Sequence, residues 1–396
     1  MPSAGQIPLG PTAAVLASGV IAAFHVGKVA IVAPHLQLDL SIGLAAVGWL
    51  TAAFATLGFL ASAPAGAGVV IHGDRRMLRL GTVCLVAGAV GGSLAPSYGM
   101  LLATRVLEGT GFVLVSVAGP RILERIAPPA RRDFVLALWS CFMPAGMAAA
   151  MLIGLMLGGW RPVWCAGALL AAGAALAIGR VPAGAAAGGS TRGSLRSGLA
   201  LLVRRPAPWL LLLVFALYSF CFFALFSFLP VLLAEELGWS LGAAGLLGAV
   251  ASAANIPGNL ASPALAARLG RGRLLAIAGL GMAGCAVGIF PPLLPAPVRV
   301  VLCLVFSAVG GLVPATLFAA AGNVAPARTT PLLCGLLMQG SALGQMAGPV
   351  AVGGLVDSHG WSSAGWATAG AGLLGALAGA AAARPGRQSC GGIRRD

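Results

Sequence analysis

Lys28, Arg105 and Glu108 are charged side chains set inside otherwise apolar stretches, IAAFHVGKVAIV and LLATRVLEGTG, and His25 precedes Lys28 by three residues. The spacing, i to i+3 in both stretches, puts each pair on one face of a helix. A carboxylate shared with cations can exchange a proton when a competing charge arrives or leaves, and an imidazole does so near neutral pH. Two cations can also hold an anion. With His25 neutral the four groups sum to +1. That excess points to Lys28 and Arg105 as contacts for an anionic substrate, with Glu108 and His25 as carriers of a coupled proton. The alternative is that Arg105 and Glu108 neutralise each other and brace one helix.

The elements that hold these residues follow from composition. Of 396 residues 59% are hydrophobic and 8% charged, and the mean hydropathy is +0.97. A soluble domain covers its surface with roughly a quarter charged residues, whereas a helix crossing hydrocarbon needs about 20 apolar residues in a row. Such runs recur near 11–33, 42–65, 80–96, 100–120, 134–158 and 163–180. Six more lie near 208–233, 241–262, 274–292, 298–322, 331–355 and 362–383. The 59 Gly and 26 Pro sit within or beside these runs, where glycine lets helices approach and neighbours satisfy the carbonyls that proline frees. The expected fold class is all-α: twelve transmembrane helices in two pseudo-symmetric six-helix bundles.

The stretch 181–207, rich in small residues and carrying Arg192, Arg196, Arg204 and Arg205, reads as a linker between a bundle at 1–180 and a second at 208–396. The net charge of +15 does not form a nucleic-acid footprint, because the 24 basic residues fall between apolar runs. Placing both termini in the cytoplasm assigns 20 of them to inside loops and tail, and leaves Arg161 and Arg299 outside. That asymmetry predicts a multi-pass protein of a cell inner membrane with cytoplasmic termini. The first run has no preceding Lys or Arg and no clear cleavage site, so a removable signal peptide is not expected. Seven of the eight Cys lie in apolar runs without CxxC spacing and read as small packing residues.

Features of the first half return about 200 residues later. Pro34 and Ser41 recur as Pro230 and Ser240, Gly73 as Gly270, and Trp160 as Trp361, at offsets of 196, 199, 197 and 201. With these repeats the chain resembles the major facilitator superfamily, in which two six-helix bundles rock about a central site. That family's loop between spans 2 and 3 is matched by Gly66, Gly73, Arg75 and Arg76. Val70 and Ile71 replace its Asp-Arg pair, and Asp74 stands where its first Arg is expected. The second half supplies Arg268, Gly270 and Arg271, with Ala267 at the acidic position. The resemblance implies a gating role for these loops, here with a weakened charge lock, unless the arginines only anchor topology. It also places Arg105, in an Arg-x-x-x-Gly pattern with Gly109, near the central cavity, where Lys28, His25 and Glu108 could converge. The glycine-proline signature of antiporter span 5 is absent from FMPAGMAAAMLIGLMLGG. The stretches GWLTAAFATLGF, RVLEGTGFVLVSVAGP, LWSCFMPAGM and GGLVPATLFAAAGNVAP look like the cyanate and nitroimidazole permease branch.

Tyr218 and Gln339 are candidates to orient a substrate by hydrogen bonds, as are Asn255, Asn259 and Gln345; the alternative is helix-to-helix glue. Pro230, Pro257, Pro314 and the run Gly340, Gly344, Gly348, Pro349 mark places where helices can bend or pack closely; the alternative is ordinary packing. Nine acids and four histidines are scattered, so neither a polytopic enzyme, a metal nor a cofactor is implied. The expectation is a monomeric secondary transporter moving a small molecule, most simply a small anion, by alternating access in the lipid bilayer, with protons as a possible partner. A proton-driven exporter of a drug or metabolite is the rival.

Overall fold

In the computed structural model, residues 7–184, 204–324 and 330–382 are described. The bulk of the predicted linker, the loop arginine Arg328, and the tail with Cys390 and its arginines lie outside them. The helices are α1 Leu9–Leu40, α2 Leu44–His72, α3 Asp74–Ser93, α4 Tyr98–Ile126, α5 Arg132–Ser140, α6 Phe142–Leu157, α7 Trp160–Ala177 and α8 Pro206–Phe226. They continue as α9 Leu229–Leu237, α10 Leu241–Ala253, α11 Asn255–Leu269, α12 Arg271–Ile289, α13 Ala296–Gly310, α14 Leu312–Val324, α15 Thr330–His359 and α16 Trp361–Ala382.

Four predicted spans are broken helices, and the breaks have one chemical cause. A proline inside a helix cannot donate to the carbonyl four residues back and crowds it. The helices end at Ser140, Phe226, Ala253 and Gly310, each four residues before Pro144, Pro230, Pro257 and Pro314. Pro64 leaves α2 continuous but bent, its arms Ala46–Ser62 and Pro64–His72 meeting at 59°. Among the described residues eight helices or joined pairs are long and apolar enough to cross a bilayer, and bent α2 makes a ninth. Helix α3, whose start is charged, the α10–α11 pair and α15 lie where the other three spans were expected. The protein is thus a multi-pass membrane protein, all-helical among the described residues, as expected.

Packing divides the spans into two similar sets. In the first half α1 lies against α4, α6 and α7, α3 against α4 and α7, and α2 against α4. In the second α8 lies against α15 and α16, and α12 against α13 and α16. Small residues bring the backbones together: a Cβ on Gly340, Gly344 or Gly348 of α15 would stand 2.5, 2.0 or 2.6 Å from the carbonyls of Leu212, Ala216 and Phe220 of α8. The halves meet along α2 with α15, and along α5 and α6 with α10, α11 and α14. Across these seams the Gln339 side chain donates to the Phe59 carbonyl at 2.8 Å and Ser252 donates to the Pro144 carbonyl at 3.1 Å.

Candidate functional site: a buried charge cluster

His25 and Lys28 from α1 meet Arg105 and Glu108 from α4, and all four are fully enclosed. Lys28 Nζ donates to Glu108 Oε1 at 2.5 Å, and Arg105 Nη1 pairs with Glu108 Oε2. One carboxylate thus serves both cations, including Lys28, which had no evident partner in the sequence. Arg105 also donates to the carbonyls of Leu50 at 3.2 Å and His25 at 2.9 Å. His25 Nδ1 stands 3.1 Å from Lys28 Nζ and 3.2 Å from Glu108 Oε1. A single ring nitrogen cannot accept from the ammonium and donate to the carboxylate at once, so one proton decides which bond forms. His25 Nε2 and Arg105 Nη2 are buried without a hydrogen-bond partner.

The walls of the cluster correct its expected location. Lys28 Nζ lies 4.0 Å from the centroid of the Trp164 ring on α7, and Arg105 Cζ lies 4.4 Å from that of Phe54 on α2. Gly88 of α3 is pressed on Glu108, a Cβ there falling 2.6 Å from Cγ, and Gly167 of α7 backs His25. Helices α3 and α7 pack within the first half, so Lys28, Arg105, Glu108 and His25 occupy its core and not a cavity between halves. The preference of charged side chains for one another in a medium of low dielectric explains the inward turn. Sequence reading missed Trp164 and Phe54, since an aromatic in an apolar run looks like ordinary packing.

Tyr218 and Gln339 are not brought to this cluster. The Tyr218 hydroxyl accepts from Asn255 Nδ2 at 3.4 Å and lines a narrow apolar crevice of the second half with Val214, Cys221, Gly279 and Met282. Gln339 spans the α2–α15 seam. Asn255 and Asn259 are buried and bonded to each other at 2.7 Å within α11, and Asn255 also donates to the Ser307 carbonyl of α13 at 2.8 Å, a bond between helices, while Gln345 Nε2 is buried without a partner.

At the start of α3 and of α12, Gly73 and Gly270 adopt φ of 88° and 82°, a left-handed turn that glycine takes without a Cβ clash. The missing acidic residues had suggested a weakened charge lock in both loops. In the first, Asp74 supplies a carboxylate, bound by Arg125 of α4 at 2.8 and 3.0 Å. Arg125 also donates to the Pro182 carbonyl at 3.1 Å, and Arg75 to that of Gly179 at 3.2 Å. These bonds join loop, α4 and the segment after α7 within the first half. Gly66 is buried in α2, Arg76 and Arg268 are exposed, and Arg271 at the head of α12 is partly buried.

At the opposite end of the bundles the duplicated tryptophans do the same job twice. Trp160 Nε1 donates to Asp39 at 2.9 Å and Trp361 Nε1 to Glu235 at 3.3 Å, tying the last span of each half to the end of its first.

The family model described as Major Facilitator Superfamily matches residues 15–338. A chloramphenicol resistance protein of Streptomyces lividans is 32% identical over 260 residues, covering 62% of this chain and 64% of that protein. The tetracenomycin C resistance and export protein of Streptomyces glaucescens is 28% identical over 39% of this chain and 29% of its own length. The D-xylose transporter of Levilactobacillus brevis is 24% identical over 37% of this chain and 32% of its own length. The chain therefore spans less of these curated relatives than their full length. Among solved structures, the human organic anion transporter MFSD10 overlays with a TM-score of 0.77 at 18% identity, over 94% of this chain and 100% of that one. The E. coli fucose:proton symporter overlays at 0.74 and 17% identity, over 95% and 99%. The chain belongs to the Major Facilitator Superfamily.

Proposed function

We propose that this chain is a proton-coupled secondary transporter that carries a small organic molecule by alternating access, its two bundles, 1–180 and 208–396, rocking about the α2–α15 and α6–α10 seams as a monomer. The observation that carries the reading is the enclosed set of His25, Lys28, Arg105 and Glu108, in which one proton selects between two hydrogen-bond patterns. Charges kept inside a membrane protein at such cost mark a pathway or a coupling site. Because the cluster is walled by α3 and α7, it suits proton carriage by Glu108 and His25 better than direct substrate contact by Lys28 and Arg105. The substrate then sits between the halves and meets Gln339, and Tyr218 shapes the second half from within. The loops at Gly73 and Gly270 control opening at their end of the bundles, which the arginine distribution assigns to the cytoplasmic side of an inner membrane.

Export of an uncharged aromatic compound is favoured by the identity to the chloramphenicol resistance protein. An organic anion is the second reading, favoured by the net +1 of the cluster and the unpaired Arg105 Nη2. Proteoliposomes loaded with labelled chloramphenicol, benzoate or galactose, with and without an imposed pH gradient, separate the cases. Gradient-driven chloramphenicol flux, lost in Glu108→Gln, is the expected result. Benzoate flux alone selects the anion reading, and flux indifferent to the gradient ends the proton-coupled one.

A further inference from the structure

Two cations share one carboxylate, so the cluster keeps a positive charge with no anion to meet it. Each cation lies instead on an aromatic face, Lys28 on Trp164 and Arg105 on Phe54. The Trp164 ring is fixed by its surroundings. A Cβ at Gly92 of α3 would stand 2.3 Å from both Cδ1 and Nε1, so glycine there leaves the slot the indole fills. Trp160 closes it edge-on at 5.9 Å between centroids. The price of the pose is visible in the Trp164 Nε1, buried with no acceptor. The ring sacrifices a hydrogen bond and presents its electron-rich face to the ammonium. The charged or titratable groups facing Lys28 are His25 on its own helix and Arg105 and Glu108 on α4; α3 and α7 offer glycine and tryptophan.

We propose that Trp164 is a positioning residue of the proton site: its ring takes the place of a second carboxylate, holds Lys28 charged beside Glu108, and sets the pH at which the cluster gives up a proton. This rests on the cluster being the coupling site. A desolvated ammonium gains most from the indole face and less from a benzene ring.

Lys28 is the one lysine in the 396 residues, so full-length protein labelled with 13Cε-lysine gives one side-chain signal. Its pH titration is followed by NMR in wild type, Trp164→Leu and Trp164→Phe. Without the indole the lysine should lose its proton about one pH unit lower, roughly tenfold in the acid constant, in Trp164→Leu. Trp164→Phe should move it less, in the same direction. An unmoved midpoint in Trp164→Leu, or equal displacement in both variants, overturns the proposal. If Trp164→Leu does not fold, Trp164→Phe decides, and an unmoved midpoint there is equally fatal. The signal needs no substrate, so this outcome is read separately from the flux experiment: proton-independent flux would remove the coupling reading while leaving the ring's effect on Lys28 measurable.

Discussion

Glu108 is the residue on which the cluster depends. Removing its charge leaves two enclosed cations facing each other, and breaking a buried pair in this way costs about 3–5 kcal/mol. Glu108→Gln should therefore lower the thermal unfolding midpoint of the purified protein sharply. Adding Lys28→Met to that background should recover part of the loss, because it deletes a cation that has no partner. Additive losses in the double variant, measured as a double-mutant cycle, would show that the two side chains are not energetically coupled. His25, Lys28, Arg105 and Glu108 were legible in the sequence because a charge in an apolar run has to be explained. Their surroundings were not, since nothing in a single sequence distinguishes the glycine at 92 that seats Trp164 from any other among 59. Asp74 was read against the positions a familiar loop reserves for acids, and its real partner, Arg125, lies 51 residues away.

The apolar character of the helices was legible in the sequence, their lengths less so. The first span was expected at 11–33 and runs Leu9–Leu40, because hydropathy marks hydrocarbon while backbone bonding continues past it. The breaks at Ser140, Phe226, Ala253 and Gly310 needed only the four-residue reach of a proline ring. At this scale the close approach of α11 to α13 is the most exposed to change. A Cβ on Gly258 would stand 1.9 Å from the Ala308 carbonyl, so Gly258→Ala should force the two apart. Loss of a monodisperse peak on size exclusion, or a lowered unfolding midpoint, is the expected reading. The anchor beyond α7 gives a second case. Asp74→Asn removes a charge-assisted pair worth about 1–3 kcal/mol and frees Arg125 from its brace on Pro182. Trypsin should then cut after Arg180 faster than in the native protein, followed by mass spectrometry.

Across the whole molecule the sequence repeat and the folded repeat coincide at the tryptophans, and the structure adds their carboxylates: Asp39 and Glu235 differ by the same 196 residues as Pro34 and Pro230. Such ties stiffen each half and leave relative motion to the seams. A direct test uses α2 and α15, where a Cβ on Gly58 would lie 2.8 Å from that of Ala342, nearer than the roughly 3.5–4.5 Å between the Cβ atoms of a disulfide, so the two helices must part slightly for a bridge to form. With the native cysteines replaced, Gly58→Cys with Ala342→Cys should cross-link under oxidation and stop flux, and a reductant should restore it. Undiminished flux through the cross-linked form would place the moving parts elsewhere.

The enclosure of Lys28 has a use beyond coupling. It is the one side chain of the protein that an amine-acylating reagent can mark, and it is sealed by four helices. The rate at which a membrane-permeant acylating ester adds mass to residue 28 therefore clocks the breathing of the first bundle, one opening at a time.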